Sequence, residues 1–179
     1  MTRRFDVESL AALEHLVAAL ETDDVLGAVL RAQLQVEQII EVFLEATVAP
    51  DMWDVVDALP QLFVQKVTMA AALGFPKELC AAVLALNQIR NKFAHRAGWV
   101  LKDTDVQNLV EKYESARAAL DPTAYEMRKS SIQVHSRGGE KIDFGTQGVE
   151  WDFKMAAGGI VGIVVKYLIK QNYRNGFPP

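Results

Sequence analysis

Arg90 and His95 stand five residues apart in the stretch LNQIRNKFAHR, residues 86–96. A guanidinium offers a planar fork of N–H donors and no acceptor, which suits it to an anion. An imidazole titrates near neutral pH and can take or give a proton. Between Leu79 and Lys102 there is no acidic residue, whereas Arg90, Lys92, Arg96 and Lys102 are all cationic. Cations are favoured at a helix C-terminus, which accounts for part of this bias. The rest points to an anionic ligand.

These residues fall on a helix expected from Pro76 to about His95. At about 100° per residue, Leu79, Ala82, Val83, Leu86, Ile89 and Phe93 share one arc, the core face. Arg90 lies inside that arc. Asn87, Asn91 and His95 form a polar row along its flank. A desolvated guanidinium needs a partner, because an unpaired buried charge is strongly destabilising. The long apolar segment 23–49 supplies one. Its arc carries Leu26, Val29, Leu30, Ile40, Phe43, Leu44 and Val48, with Glu37 inside it and Glu41 at its edge. Two helices thus each carry a misplaced charge of opposite sign, and Glu37, or else Glu41, is expected to face Arg90.

The other elements follow from periodicity and punctuation. A first helix is expected over 7–20. Thr22 or Asp23 suits the cap of the second, which stops at Pro50. A short segment around 51–59 leads to a third helix over 61–73, stopped by Gly74. The fifth begins near Thr104 and Gln107, which have capping-box spacing, and ends before Asp121-Pro122. Beyond Pro122, residues 131–144 alternate about Gly138-Gly139, the pattern of a β-hairpin. Residues 149–153 suit a further short strand, with a last helix over 153–173. Gly158 and Gly162 have the spacing that admits a second backbone, and Phe144, Trp151 and Phe153 are expected to anchor the extension. The fold class expected is mainly α: an antiparallel helical bundle over 1–122, with a hairpin-plus-helix extension over 123–179 packed on the bundle or on a partner.

With Arg90, Asn91 and His95 in place, LNQIRNKFAH resembles the arginine-to-histidine motif of the HEPN superfamily. Together with the preceding LFVQKVTMAAALGF, it resembles the mannitol operon repressor group of HEPN-like proteins. The resemblance covers roughly residues 20–120. It implies a HEPN-like bundle, a homodimer and an RNA substrate cleaved without a metal, by attack of a ribose 2′-hydroxyl on the adjacent phosphate. His95 would then act as general base or acid, Arg90 would stabilise the phosphorane charge, and Asn91 would orient the phosphate or the histidine. Lys92, Arg96 and Lys102 would guide the strand, and Trp99 would stack a base. Two functions follow from the resemblance. One is an endoribonuclease, as a toxin or defence effector held by an antitoxin-like partner. The other is a non-enzymatic regulator of the mannitol repressor kind, acting through protein contacts.

The whole chain bounds these readings. Its 179 residues are half apolar, enough for a sizeable core. The net charge of −4 conceals −9 in residues 1–60 and +5 in residues 61–179. That overall acidity disfavours a general DNA-coating protein, and no recognition helix of basic character stands out. A single cysteine, Cys80, suits packing in a reducing compartment. His15, His95 and His135 lack metal-ligand spacing, so neither metal nor cofactor is expected. SRGGEK (136–141) is neither a P-loop nor a dinucleotide fingerprint. Glu8, Glu14 and His15 interrupt any signal sequence behind Arg3-Arg4, and the apolar run 155–165 is short for a membrane span. A cytoplasmic protein without membrane contact is the expectation.

Overall fold

The computed structural model describes residues 4–6, 13–49, 51–52, 60–96 and 98–176, with backbone alone at 13–15 and 19. Six helices are described: α1 (Leu13–Leu20), α2 (Val25–Thr47), α3 (Phe63–Ala72), α4 (Lys77–His95), α5 (Asp103–Leu120) and α6 (Val149–Arg174). A two-stranded antiparallel sheet, β1 (Ser131–Val134) and β2 (Glu140–Asp143), stands between α5 and α6. The protein is therefore mainly helical with one small hairpin. The helix start expected at 7–12, the segment at 53–59 and the side chain of His15 lie outside the described residues. None of the described helices is long and apolar enough to cross a membrane.

Punctuation decides the helix ends, with shifts that have local causes. Lys154 takes the Thr22 carbonyl and Arg137 pairs with Asp23, so the cap of α2 falls to Asp24, which accepts the Gly27 N–H at 2.9 Å. Gly74, with φ +95°, turns the chain after α3. Pro76 is the cap of α4 rather than its first residue. The expected capping box of α5 is absent: Lys102 is its cap residue and makes no side-chain cap bond, while Gln107 donates to Asp103.

The last helix departs most from expectation. Residues 149–153 are its first turns, not a strand. Every residue from Trp151 to Ala157 is buried, and a helix enclosed on all sides shows no apolar–polar period. α6 packs against α1, α2, α4 and α5, and one hydrophobic cluster runs from Phe5 through α2, α4 and α5 to Leu168. One core thus spans residue 122, with α6 packed on the bundle. Gly159, rather than Gly162, is the tight approach. A Cβ there would meet Met127 Cε at 2.5 Å and Tyr113 Cε2 at 3.1 Å, whereas Gly162 has open space. Asn172 clasps the first described turn of chain, accepting the Phe5 N–H at 2.7 Å and donating to the Phe5 carbonyl at 2.8 Å.

The hairpin is held to the bundle at its tip. Ile132 faces Ile142 and Val134 faces Glu140 across the ladder. Val134, Ile142 and Trp151 form a small satellite core. Glu21 accepts the N–H groups of His135 and Ser136, each at 2.9 Å, and these bonds hold its carboxyl below the ordinary range. Lys154 and Arg137 both lie over the Trp151 ring, 4.2 and 4.9 Å from its centroid.

Asp121, just past α5, ties that helix to α6. Its buried carboxylate pairs with Lys166, with Lys170 at 3.0 Å and with the Thr123 hydroxyl at 2.9 Å. The Lys166 bond, then the Lys170 bond, hold it well below the usual carboxylate range. A carboxyl depressed on folding stabilises above its unfolded pKa and loses that contribution as pH falls through its folded one. Tm should thus decline as pH drops below about 5, and Asp121→Asn should lower Tm at neutral pH and flatten that decline. Differential scanning calorimetry across pH 2–7 (approximate range) checks it.

Candidate functional site

Helix α4 brings the polar row to a graded edge. Leu79, Ala82, Val83, Leu86 and Ile89 are buried in the core, and Phe93 is half-buried. Along the flank, Asn87 is buried, Asn91 is half-buried and His95, the last residue of the helix, is exposed. Arg90 is half-buried, as its place inside the apolar arc requires.

Its partner is not the expected one. Glu37 and Glu41 both accept from Lys66 of α3, each at 2.5 Å, and neither pairs with Arg90. Lys66 is buried while the two carboxylates stay partly open. Burial disfavours its ammonium, yet the bonds to Glu37 and Glu41 override this and hold its pKa above the ordinary lysine value. The cation that satisfies α2 thus comes from α3. Among the described residues, Arg90 makes one side-chain hydrogen bond, from Nη1 to Asn91 Oδ1 at 3.1 Å. A guanidinium has five N–H donors, so most of its fork is uncommitted.

Arg90, Asn91 and Asn87 line a pocket of about 440 Å³ between α2, α3 and α4, together with Gln33 and Glu37. That volume lies within the roughly 300–1,000 Å³ of small-molecule sites. The rim is apolar and open: Leu34 is 64% exposed and Leu62 63%, with Leu30 and Val64 also exposed, and Leu26 is exposed on the same helix as Leu30. Leu26 and Leu30 were expected on the core arc of α2. That helix is packed by α1, α3, α4 and α6, and its buried face is swung towards Ala28, Ala32 and Ile39. Small alanines admit the close approach of neighbouring helices, and the leucines are left on the open side. Gln33 sits on the pocket side at 4% exposure, and neither its amide nitrogen nor its oxygen has a partner.

The remaining expected residues are dispersed. His95 does not line this pocket. Lys92 is engaged by Asp105 of α5. Trp99 packs edge-on against Phe93, ring centroids 4.6 Å apart, with Lys92 over its ring at 5.8 Å. The indole therefore closes the α4–α5 turn instead of standing free to stack a base. Arg96 and Lys102 are exposed. Among the described residues no three His, Cys, Asp or Glu side chains group as a metal site would need. Gln33 and Lys66 were not singled out from the sequence, although each interrupts an apolar stretch, the same signal that marked Arg90 and Glu37. What the described residues define is a helical bundle with an open polar pocket, holding Arg90, under an apolar rim. No family model, curated protein or solved structure matches it.

The revised pairing changes the expected energetics. Removing Lys66 leaves two adjoining, partly buried carboxylates without a cation, so Lys66→Ala should destabilise by roughly 1–3 kcal/mol after solvent screening. Arg90→Ala strands no carboxylate and should destabilise by less than about 1 kcal/mol. Urea unfolding of the two variants measures both, and a larger loss in Arg90→Ala than in Lys66→Ala would refute the assignment.

Proposed function

We propose that the protein is a HEPN-like, metal-independent endoribonuclease whose working site is shared between two copies of the chain. The observation that carries this reading is Arg90: a half-buried guanidinium with no carboxylate partner, most of its donors uncommitted, at the wall of a pocket. Such a group suits a phosphate, whose oxygens accept planar, charge-assisted hydrogen bonds. Asn91 steadies it. His95 ends the same helix exposed, where it can reach a strand lying across the helix end. The reaction is attack of a ribose 2′-hydroxyl on its neighbouring phosphate, with the 5′-oxygen leaving and a 2′,3′-cyclic phosphate formed. His95 takes the hydroxyl proton or protonates the leaving oxygen, and Arg90 steadies the charge gathering on phosphorus.

Arg90 and His95 are about 140° apart around the helix, so one copy alone does not aim both at one point. Two copies can bring one chain's histidine to the other's arginine. The exposed leucines of the rim support such a homodimer. So does the charge layout, with acidic α2 flanking one side of the rim and the basic end of α4 the other. Under a two-fold axis the acidic flank of one copy meets the basic flank of its mate. Leu34→Glu should therefore shift the protein from dimer to monomer in sedimentation equilibrium at micromolar concentration, and a monomeric wild type would count against the shared site.

The alternative is a non-enzymatic regulator of the mannitol repressor kind. The separation of His95 from the pocket favours it, because a purely structural or partner-binding motif needs no convergence. Incubating purified protein with mixed RNA in EDTA separates the two. Cleavage leaving 2′,3′-cyclic phosphate ends, lost by at least about a hundredfold in His95→Ala, supports the enzyme. Equal persistence of intact RNA with wild type and variant leaves the regulator.

A further inference from the structure

We infer that the pocket between α2, α3 and α4 is a nucleotide subsite in which Gln33 reads the base, with adenine preferred, and Arg90 meets the phosphate. This rests on the RNA reading above and gives it a base preference. Two unsatisfied groups of different kinds line the same pocket. Arg90 has no anionic partner and spends one hydrogen bond on Asn91. Gln33 is 4% exposed, and both ends of its carboxamide lack a partner. A buried amide with neither donor nor acceptor satisfied is uncommon in folded proteins and calls for an explanation. The two groups come from facing helices, α2 and α4, and Leu30, Leu34 and Phe63 provide apolar walls beside them.

The occupant must answer all three features together. An inorganic anion answers Arg90 and leaves Gln33 and the walls unused. A fatty acid answers Arg90 and the walls but offers nothing to the carboxamide. A nucleotide has a flat apolar body for the walls, a polar base edge for the carboxamide and a phosphate for the guanidinium. Among the bases, adenine presents a donor at N6 beside an acceptor at N7, the edge that a glutamine side chain pairs in bidentate fashion. Both amide atoms lie buried at the pocket wall in the free chain, so the side chain must turn outward on binding to present that edge. The approximate 440 Å³ of the pocket accommodates a mononucleotide at this opening. The other charge at the pocket is arranged compatibly: Glu37, the one carboxylate among the described lining residues, is engaged by Lys66.

Isothermal titration of the full chain with adenosine monophosphate, uridine monophosphate, adenosine and the 7-deaza analogue of adenosine monophosphate tests this. The adenylate should bind about tenfold tighter than the uridylate, the discrimination one bidentate contact provides, and the 7-deaza analogue should lose a similar factor because N7 is gone. Gln33→Leu should remove the preference, and Arg90→Ala should weaken the adenylate while leaving adenosine unchanged. The analogue comparison needs no variant, so it stands whether or not Gln33→Leu folds. Equal binding of the two nucleotides, an unaffected 7-deaza analogue, a preference that survives in Gln33→Leu, or no binding at millimolar concentration would each overturn the inference. Adenine-selective binding without RNA cleavage would sink the nuclease and leave this subsite standing. Cleavage by a protein that binds the nucleotides without discrimination would do the reverse.

Discussion

One ammonium group organises the functional side of this protein. Lys66 lies buried at the inner edge of α3 and holds two carboxylates of α2 at once. Two glutamates one helical turn apart repel each other and resist desolvation. The lysine between them removes both penalties and pins α3 across α2. Because that demand is met locally, Arg90 on α4 is not drawn across to α2, and a pocket stays open between the helices. The same charges with an Arg90–Glu37 pair would close it. Position of the cation, more than its presence, decides which groups on α4 stay unpaired.

The wider scaffold serves this arrangement through α6. A helix buried on every side from Trp151 to Ala157 packs against α1, α2, α4 and α5 together. Each then has one free direction to offer. For α2 that direction carries Leu26, Leu30 and Leu34, which are costly to leave in water and are natural candidates for cover. For α4 it carries the polar row. The hairpin sits away from the pocket, bound to the α1–α2 turn by Glu21 and by the stacked cations on Trp151.

Much of the helical framework was legible because it is written in local chemistry. Gly74 and the Asp121-Pro122 pair end helices wherever they occur, and Gly138-Gly139 marks a hairpin. The errors arose where the local signal was overruled from a distance. Residues 149–153 look like a strand because the consecutive burial of Trp151, Asp152 and Phe153 erases helical periodicity. The buried face of α2 differs from the expected arc because four helices, not one, pack on it, and alanine admits them more closely than leucine does. Arg90 was correctly seen as a charge on an apolar arc, but its partner was chosen from two candidates on one helix. The competing cation was Lys66, in a segment where its apolar surroundings gave the same cue. A pairing of charges depends on which cation arrives first in space, and a linear pattern does not rank them. Gln33 passed unnoticed because an uncharged amide disturbs an apolar stripe less than a carboxylate does.

The clasp between Asn172 and Phe5 has a mechanical consequence. It joins residues 167 positions apart through two hydrogen bonds between the Asn172 carboxamide and the Phe5 backbone. A pull applied at these two ends loads that pair in the same instant, before tension can reach the helices between them. The fold therefore has a latch at the point where its earliest and latest described segments meet. Separating residue 5 from residue 172 must break both of these bonds together.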